Sequence, residues 1–468
     1  MKGISVVGIG KLGLCMAACF ARRGYEVIGV DIAPQTVSVV NDGRSPIYEP
    51  GLAELMNEVS SLSATTDYDH GIRNSDVTFI VVPTPSKQDG GFSTRYAEEA
   101  AEQIALALRN KEKFHLVVLT STVLPGATEG VVKSLLEKGS GKKCGVDFGL
   151  CYNPEFIALG SVIRDFTNPD AVLIGESDPR SGELLEEIYH VVCDNYPSVV
   201  RTTIHNAELA KISLNAFVTM KISFANTLAE ICERIPGGDV NAVTQMLGHD
   251  SRIGKKYLSG ALGYGGPCFP RDNKAFAFFA KTVGCEARLP EASHDENRHH
   301  NERLVDVVRQ KVGVVKGKSI SVLGLTYKPN TDVVEESASI QLAKALLKEG
   351  AVLKVYDPAG MRNARMVLGD HCINYADTVE ECLEGTEFCI LATPWEEFKD
   401  LQPDHFTTNM KQPILLDCWR IFDRFEFGEK LEYLAIGIGH RQIDGQVIHE
   451  SVWNLDSTEV RILGSTTV

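Results

Sequence analysis

The chain has 468 residues, with 47 basic against 62 acidic side chains and a formal net charge of -15. That length predicts two or three domains with room for proper hydrophobic cores. The acidic balance argues against a nucleic-acid partner or an anionic membrane surface, and no apolar run reaches the length that crosses a bilayer. An anionic small molecule remains compatible, since it needs only a few local cations. The 12 cysteines form no C-x-x-C pair and no regular framework. That is the pattern of reduced thiols in a cytoplasmic protein, not of disulfides or a zinc site.

In chain order, Ile4 to Val7 reads as a short buried strand, followed at once by Gly8-Ile9-Gly10-Lys11-Leu12-Gly13. The glycines break the apolar start, so it predicts a strand and turn and not a leader peptide. A helix is expected from Leu14 to Arg23, then a second strand from Tyr25 closing on Asp31. This is a βαβ unit with G-x-G-x-x-G in its turn and an acid about 20 residues on, the pattern of a dinucleotide site. Gly8 permits the tight turn, Gly10 lets backbone approach a pyrophosphate, and Gly13 lets helix pack on strand. The helix start offers free N–H groups to phosphate. Asp31 can accept both ribose hydroxyls, which favours NAD over NADP.

Further strands are expected at Val77 to Val82, Leu116 to Leu119 and Phe148 to Cys151, each running into a polar or proline-bearing loop. In an open α/β sheet ligands bind beyond the carboxyl ends of the strands, so Thr84, Thr122 and Glu155 should converge near the nicotinamide. Each alone reads equally well as an ordinary turn or cap residue. From Asn206 to Arg234 the spacing predicts one long helix, on which Lys211 and Asn215 share a face. A lysine in so apolar a stretch either snorkels or points into a polar site. Arg252, in the loop Asp250 to Gly254, is a solvated cation or an anion contact. The charged, His-rich run His294 to Arg303 predicts a solvated helical face, with no metal site because His299 and His300 point apart.

Between these lies Gly265-Gly266-Pro267-Cys268-Phe269-Pro270-Arg271-Asp272. Two glycines allow close backbone approach, the prolines stiffen the turn, and a carboxylate follows the thiol by four residues. The octapeptide alone fits either a nucleophilic cysteine or a small buried residue. The last third repeats the grammar of the first: strands at Ser319 to Leu323, Val352 to Asp357, Glu387 to Thr393 and Ile414 to Asp417, with a helix from about Ser339 to Lys348. Strands alternating with helices predict a second parallel sheet. Its first turn lacks the three glycines, so no dinucleotide is expected there in the same manner. Lys328, at a strand end, is a candidate phosphate contact or a surface lysine, and beyond about Gly439 the pattern decays into a tail.

Taken together, these stretches resemble the UDP-glucose/GDP-mannose dehydrogenase superfamily over nearly the whole chain. The resemblance rests on Val7 to Gly13, Ser45-Pro46-Ile47-Tyr48-Glu49-Pro50-Gly51-Leu52, Thr84-Pro85, Ser121-Thr122-Val123, Asn153-Pro154-Glu155-Phe156, Ala207-Glu208-Leu209-Ala210-Lys211, the cysteine turn, and Gly324 to Asp332. It implies two Rossmann-like, doubly wound parallel-sheet α/β domains joined by a long central helix: residues 1–205 binding NAD, 206–305 forming a homodimer and carrying the cysteine turn, and 306–468 binding the nucleotide sugar. It also implies four-electron oxidation of a sugar 6-hydroxyl to a carboxylate, with Cys268 forming first a thiohemiacetal and then a thioester. Lys211 would meet the developing oxyanion, Asp272 and Thr122 would position a proton acceptor and a water, and Glu155 would be the base for thioester hydrolysis. Gly8, Gly10, Lys11, Leu12, Gly13, Asp31, Thr84, Thr122 and Arg271 would meet NAD. Glu155, Phe156, Lys211, Asn215, Tyr257, Gly265 and Lys328 would line the substrate site, with Arg252 reaching the partner's substrate.

The chain departs from the family pattern at four places. Leu159 stands where an acid is common and Pro267 where serine is usual. Val333 and Glu335 stand where Asp-Asp-x-Arg-Glu-Ser would place an aspartate and an arginine. An acid at 335 cannot donate to a pyrophosphate, so either another cation, Arg271 among them, replaces the arginine or the cofactor geometry differs; a protein that binds nucleotide sugar with turnover impaired by this change is the competing reading. Lys142 to Phe148 is similar to the GDP-mannose branch and Asp250 to Gly254 to the UDP-glucose branch. UDP-glucose is the favoured substrate, with GDP-mannose and UDP-N-acetylhexosamines as alternatives.

Overall fold

The structure is a computed structural model that describes residues 3–439; the expected tail lies outside these. Two sheets carry the architecture. The first holds β1 (Gly3–Val7), β2 (Glu26–Val30), β3 (Leu62–Thr65), β4 (Val77–Ile80), β5 (His115–Leu119), β6 (Phe148–Tyr152), β7 (Ala171–Glu176) and β8 (Ser198–Thr203). Their order is β3-β2-β1-β4-β5-β6-β7-β8. The order reverses at β1, which opens a crevice beyond the carboxyl ends of β1 and β4. The strands near the reversal, β1, β4, β5 and β6, are buried along their length, as continuous apolar runs covered on both faces should be.

The sheet is not wholly parallel. β6 and β7 run antiparallel, pairing only at Cys151–Glu176 and Tyr152–Gly175, and β8 follows β7 in parallel. β3, β7 and β8 carry no strong alternation and were not expected from the sequence.

The second sheet holds β9 (Ser319–Leu323), β10 (Val352–Tyr356), β11 (Ile373–Tyr375), β12 (Phe388–Leu391), β13 (Ile414–Asp417) and β14 (Glu432–Ala435). It is parallel throughout, in the order β11-β10-β9-β12-β13-β14. Between the sheets runs a 30-residue helix, Ile204–Glu233, whose first turn is capped by Thr203. At 1.5 Å per residue it is about 45 Å long. Helices Phe269–Thr282 and Arg288–Val312 pack along it.

The expected solvated face from His294 to Arg303 is present on one side of the helix and is corrected on the other by this packing. Asn297, His300 and Asn301 are buried. The His300 Nε2 donates to the Ala261 carbonyl at 2.7 Å, Asn297 bonds both ways with the Tyr264 backbone, and burial lowers His300 to about 4, leaving it neutral. One face of the run holds the loop before the cysteine turn in place through buried polar contacts, while the other, with Asp295, Arg298, His299 and Glu302, faces water.

Candidate active site

The crevice at the first sheet's reversal is a cleft of about 1120 Å3. Gly8, Gly10, Lys11, Leu12, Gly13, Asp31, Thr84, Thr122, Glu155, Lys211, Cys268 and Arg271 all border it. A nucleotide turn, three successive strand-end loops, the central helix and the cysteine turn therefore meet in one place.

The glycine turn fits a pyrophosphate. A Cβ at Gly8, whose φ is +90°, would lie 2.5 Å from the Val81 carbonyl oxygen, and one at Gly13 would lie 1.9 Å from that of Gly8. Neither position tolerates a side chain. A Cβ on Gly10 would meet nothing within 4 Å, so its backbone faces open space. Gly10 precedes helix Lys11–Arg22 with no side-chain cap, which leaves the first N–H groups free for an anion. Asp31 accepts from the Ile9 and Ala33 amides. These fix its carboxylate while leaving lone pairs for ribose hydroxyls. The residues present therefore fit NAD.

Two buried carboxylates hold the loops around this cleft. Glu208, on the central helix, accepts from the Gly126 and Thr128 amides at 2.6 and 2.9 Å and so anchors the loop carrying Thr122. Glu49 accepts from the Gly160 and Val162 amides, both at 2.8 Å, and fixes the loop after Glu155. These are the charged positions of two quoted motifs, and their first duty is architectural.

Cys268 precedes the first turn of helix Phe269–Thr282 and is exposed to the cleft. Protein still surrounds it on most sides. That enclosure, with the Asp272 carboxylate, pushes the thiol up, while Arg271 and Lys211 pull it down. Asp272 itself is fully buried. Its Oδ1 accepts from Arg271 at 3.0 and 2.9 Å and its Oδ2 from Asn215 Nδ2 at 2.6 Å. Neither Asp272 nor Asn215 borders the cleft; together they tie the cysteine helix to the central helix and hold Arg271 in place over the Phe92 ring.

The Lys211 ammonium donates to the Glu155 carbonyl at 2.7 Å and lies 4.9 Å over the Phe156 ring. It points into a polar site and does not snorkel. The Glu155 carboxyl contacts the Tyr189 hydroxyl at 2.6 Å. Burial raises it to about 7, against the opposing pull of Tyr189 and Lys211. Thr84 donates to the Thr122 carbonyl at 2.7 Å.

The remaining expected residues lie outside the cleft. A Cβ at Gly265 would lie 2.2 Å from the Glu336 carbonyl oxygen, so this glycine seats the cysteine turn against the C-terminal sheet's first loop. Tyr257, at φ +67°, sets its ring edge-on to Phe269 at 6.2 Å. Lys328 is half-buried beside Tyr327, and burial pushes its ammonium down. Arg252 is solvent-exposed and paired with Asp250 at 2.6 Å. Glu335 is exposed and does not border the cleft. The cleft's cations are Lys11, Lys211 and Arg271, and Lys11 reaches across to Asp332 at 2.6 Å. Tyr189 and Asn153 went unassigned in the sequence. Tyr189 sits on the buried stripe Leu185, Ile188, Tyr189, Val192 of helix Pro179–Val192, where periodicity predicts only core.

Comparisons with known proteins cover most of the chain. The NAD-binding, central and UDP-binding domains of the UDP-glucose/GDP-mannose dehydrogenase family match residues 2–193, 205–299 and 321–424. The UDP-glucose 6-dehydrogenase AglM of Haloferax volcanii is 40% identical over 90% of this chain and 98% of its own. The GDP-mannose 6-dehydrogenase of Pseudomonas aeruginosa is 36% identical over 76% of this chain and 80% of its own. A UDP-glucose dehydrogenase structure from Pyrobaculum islandicum superposes with a TM-score of 0.85 at 34% identity, covering 94% of this chain and 98% of that one.

Proposed function

The chain belongs to the UDP-glucose/GDP-mannose dehydrogenase family, and from that premise we propose that it oxidises the 6-hydroxyl of UDP-glucose to a carboxylate, using Cys268 as nucleophile. It is an NAD-dependent nucleotide-sugar 6-dehydrogenase. The observation that carries the catalytic reading is the opening of Cys268 onto the same cleft as the Gly8–Gly13 turn, with Lys211 and Glu155 on its wall.

NAD would accept one hydride in each oxidation, so that two NAD are used per sugar; the chain's own residues do the rest. Lys211 presents a positive charge to the sugar oxygen as it becomes anionic. Cys268 adds to the aldehyde, its sulfur bonding to carbon and a proton passing to the former carbonyl oxygen. Loss of a second hydride from that carbon, with the hydroxyl proton passing to solvent, leaves a thioester. Thr122 orients a water, Glu155 takes the proton of that water, the oxygen bonds to the acyl carbon, and the C–S bond breaks to restore the thiol. Asp272 and Asn215 hold Arg271 and Cys268 in register. Tyr257, Gly265, Phe269 and Lys328 form the nucleotide-sugar side of the cysteine turn.

The central helix leaves Leu214, Phe217, Phe224 and Ile231 exposed. Their spacing of three, seven and seven is one apolar stripe, which supports a homodimer built on this helix with Arg252 directed to the partner's substrate. Among the described residues no helix is long and apolar enough to cross a membrane, and the free cysteines support a cytoplasmic location.

The test is NADH formation with UDP-glucose, GDP-mannose and UDP-N-acetyl sugars. About two NADH per sugar with UDP-glucose alone is expected; one NADH and a free aldehyde would overturn the covalent route.

A further inference from the structure

Glu155 is not alone in its pocket. Tyr189 Oη lies 2.6 Å from Glu155 Oε1 and 2.5 Å from Asn153 Oδ1. Both partners are acceptors, and a phenol has one proton. The orientation of Asn153 is not free, because its Nδ2 donates at 2.9 Å to the carbonyl of Leu173 on β7, which can only accept. That carbonyl lies beyond the last β6–β7 pair; the antiparallel reversal of the sheet is what leaves it available. Tyr189 and Asn153 are almost wholly buried, and Phe166 fixes the Tyr189 ring edge-on at 6.0 Å.

Counting donors gives two states. With Glu155 ionised, Tyr189 donates to it and Asn153 Oδ1 faces an oxygen without a proton. With Glu155 protonated on Oε1, Glu155 donates to Tyr189, Tyr189 turns its proton to Asn153, and the Tyr189 and Asn153 oxygens are both satisfied. We propose that Asn153 is a positioning residue that, by competing for the Tyr189 proton, makes Glu155 a stronger base than the tyrosine donor alone would leave it, the hydrogen-bond chain being completed only once the proton taken from the attacking water sits on Oε1. The inference rests on the reading of Glu155 as the hydrolytic base.

The other groups facing this chain do not supply the effect. Lys211, from the central helix, opposes it by favouring the carboxylate. Cys19, from helix Lys11–Arg22, and Cys193, past helix Pro179–Val192, are both pushed up to about 12 by burial and stay neutral. The Arg23–Asp194 ion pair lies beyond Cys193 at the surface.

The experiment is the pH profile of steady-state turnover and of acyl-enzyme decay, with UDP-glucose and NAD, in the full-length enzyme. Asn153→Ala removes the acceptor that rewards protonation, so the acid limb should move to lower pH. Tyr189→Phe removes the donor to the carboxylate, so the limb should move to higher pH. Each shift should be roughly half to one pH unit, three- to tenfold in proton affinity. A merely structural pair would lower rates without moving the limb in opposite directions, and that result would overturn the proposal. Should Asn153→Ala not fold, Asn153→Ser, whose shorter side chain gives up the Tyr189 contact, replaces it, and a limb that is unmoved or raised in that variant contradicts the chain. Glu155→Gln separates the two readings: accumulation of acyl-enzyme with unmoved limbs in the other variants refutes only this inference, while wild-type hydrolysis in Glu155→Gln refutes the base itself and the inference with it.

Discussion

Glu155→Gln should stabilise the protein while disabling it, and only at high pH. The folded carboxyl is raised from 4.5 to about 7. Between those values the folded state keeps a proton that the unfolded chain has released, so stability falls as pH rises through the window. At about 1.4 kcal/mol per pH unit the ionised carboxylate costs roughly 3 kcal/mol above pH 7. Glutamine mimics the protonated acid, donating to Tyr189, and carries no charge to bury. At pH 8 the variant should unfold later by up to roughly 3 kcal/mol, which at about 2–4 °C per kcal/mol for 150–250 residues is several degrees. At pH 4 the two proteins should melt together. Activity should move the other way: about two NADH per active site in the first turnover, then hydrolysis slowed by about 10²–10⁴-fold. The assay is paired thermal melts from pH 4 to 8 with pre-steady-state NADH absorbance. A stability difference that does not change with pH would refute the raised carboxyl, whatever the activity does.

Cys268→Ala should abolish acid formation while leaving nucleotide-sugar binding by calorimetry intact, since the thiol is needed only once an aldehyde exists. Asp272→Asn should speed alkylation of Cys268 by iodoacetamide, because it removes the carboxylate that pushes the thiol up. It should also lower turnover and cost roughly 3–5 kcal/mol of stability by stranding Arg271; slower alkylation in the folded variant would contradict the electrostatics. Gly265→Ala places a methyl 2.2 Å from the Glu336 carbonyl, and because backbone must move, a loss of about 1–3 kcal/mol is expected in urea unfolding. Phe217→Asp with Phe224→Asp should convert a dimer to monomers in sedimentation velocity; an unchanged mass would place the interface elsewhere.

Much of this protein is written in local pattern. Gly8 is fixed by its left-handed φ of +90° and Gly13 by the Gly8 carbonyl oxygen that a Cβ there would meet at 1.9 Å, and both constraints act between residues near in sequence. The long helix follows from apolar spacing in the same way, and Lys211 with Asn215 on one face follows from 3.6 residues per turn. The motif order is specific enough to identify the family. Tertiary structure decided what each of those residues does. Lys211 reaches the cleft while Asn215, one turn on, is spent holding Asp272, and no helical wheel separates the two. Glu49 and Glu208 sit in conspicuous motifs yet brace loops, because their amide partners lie 80 or more residues away. His300 reads as surface until a neighbouring loop covers it. The Glu155–Tyr189–Asn153 contact depends on β7 running against β6, a pairing set by long-range packing and register, which no window of sequence contains.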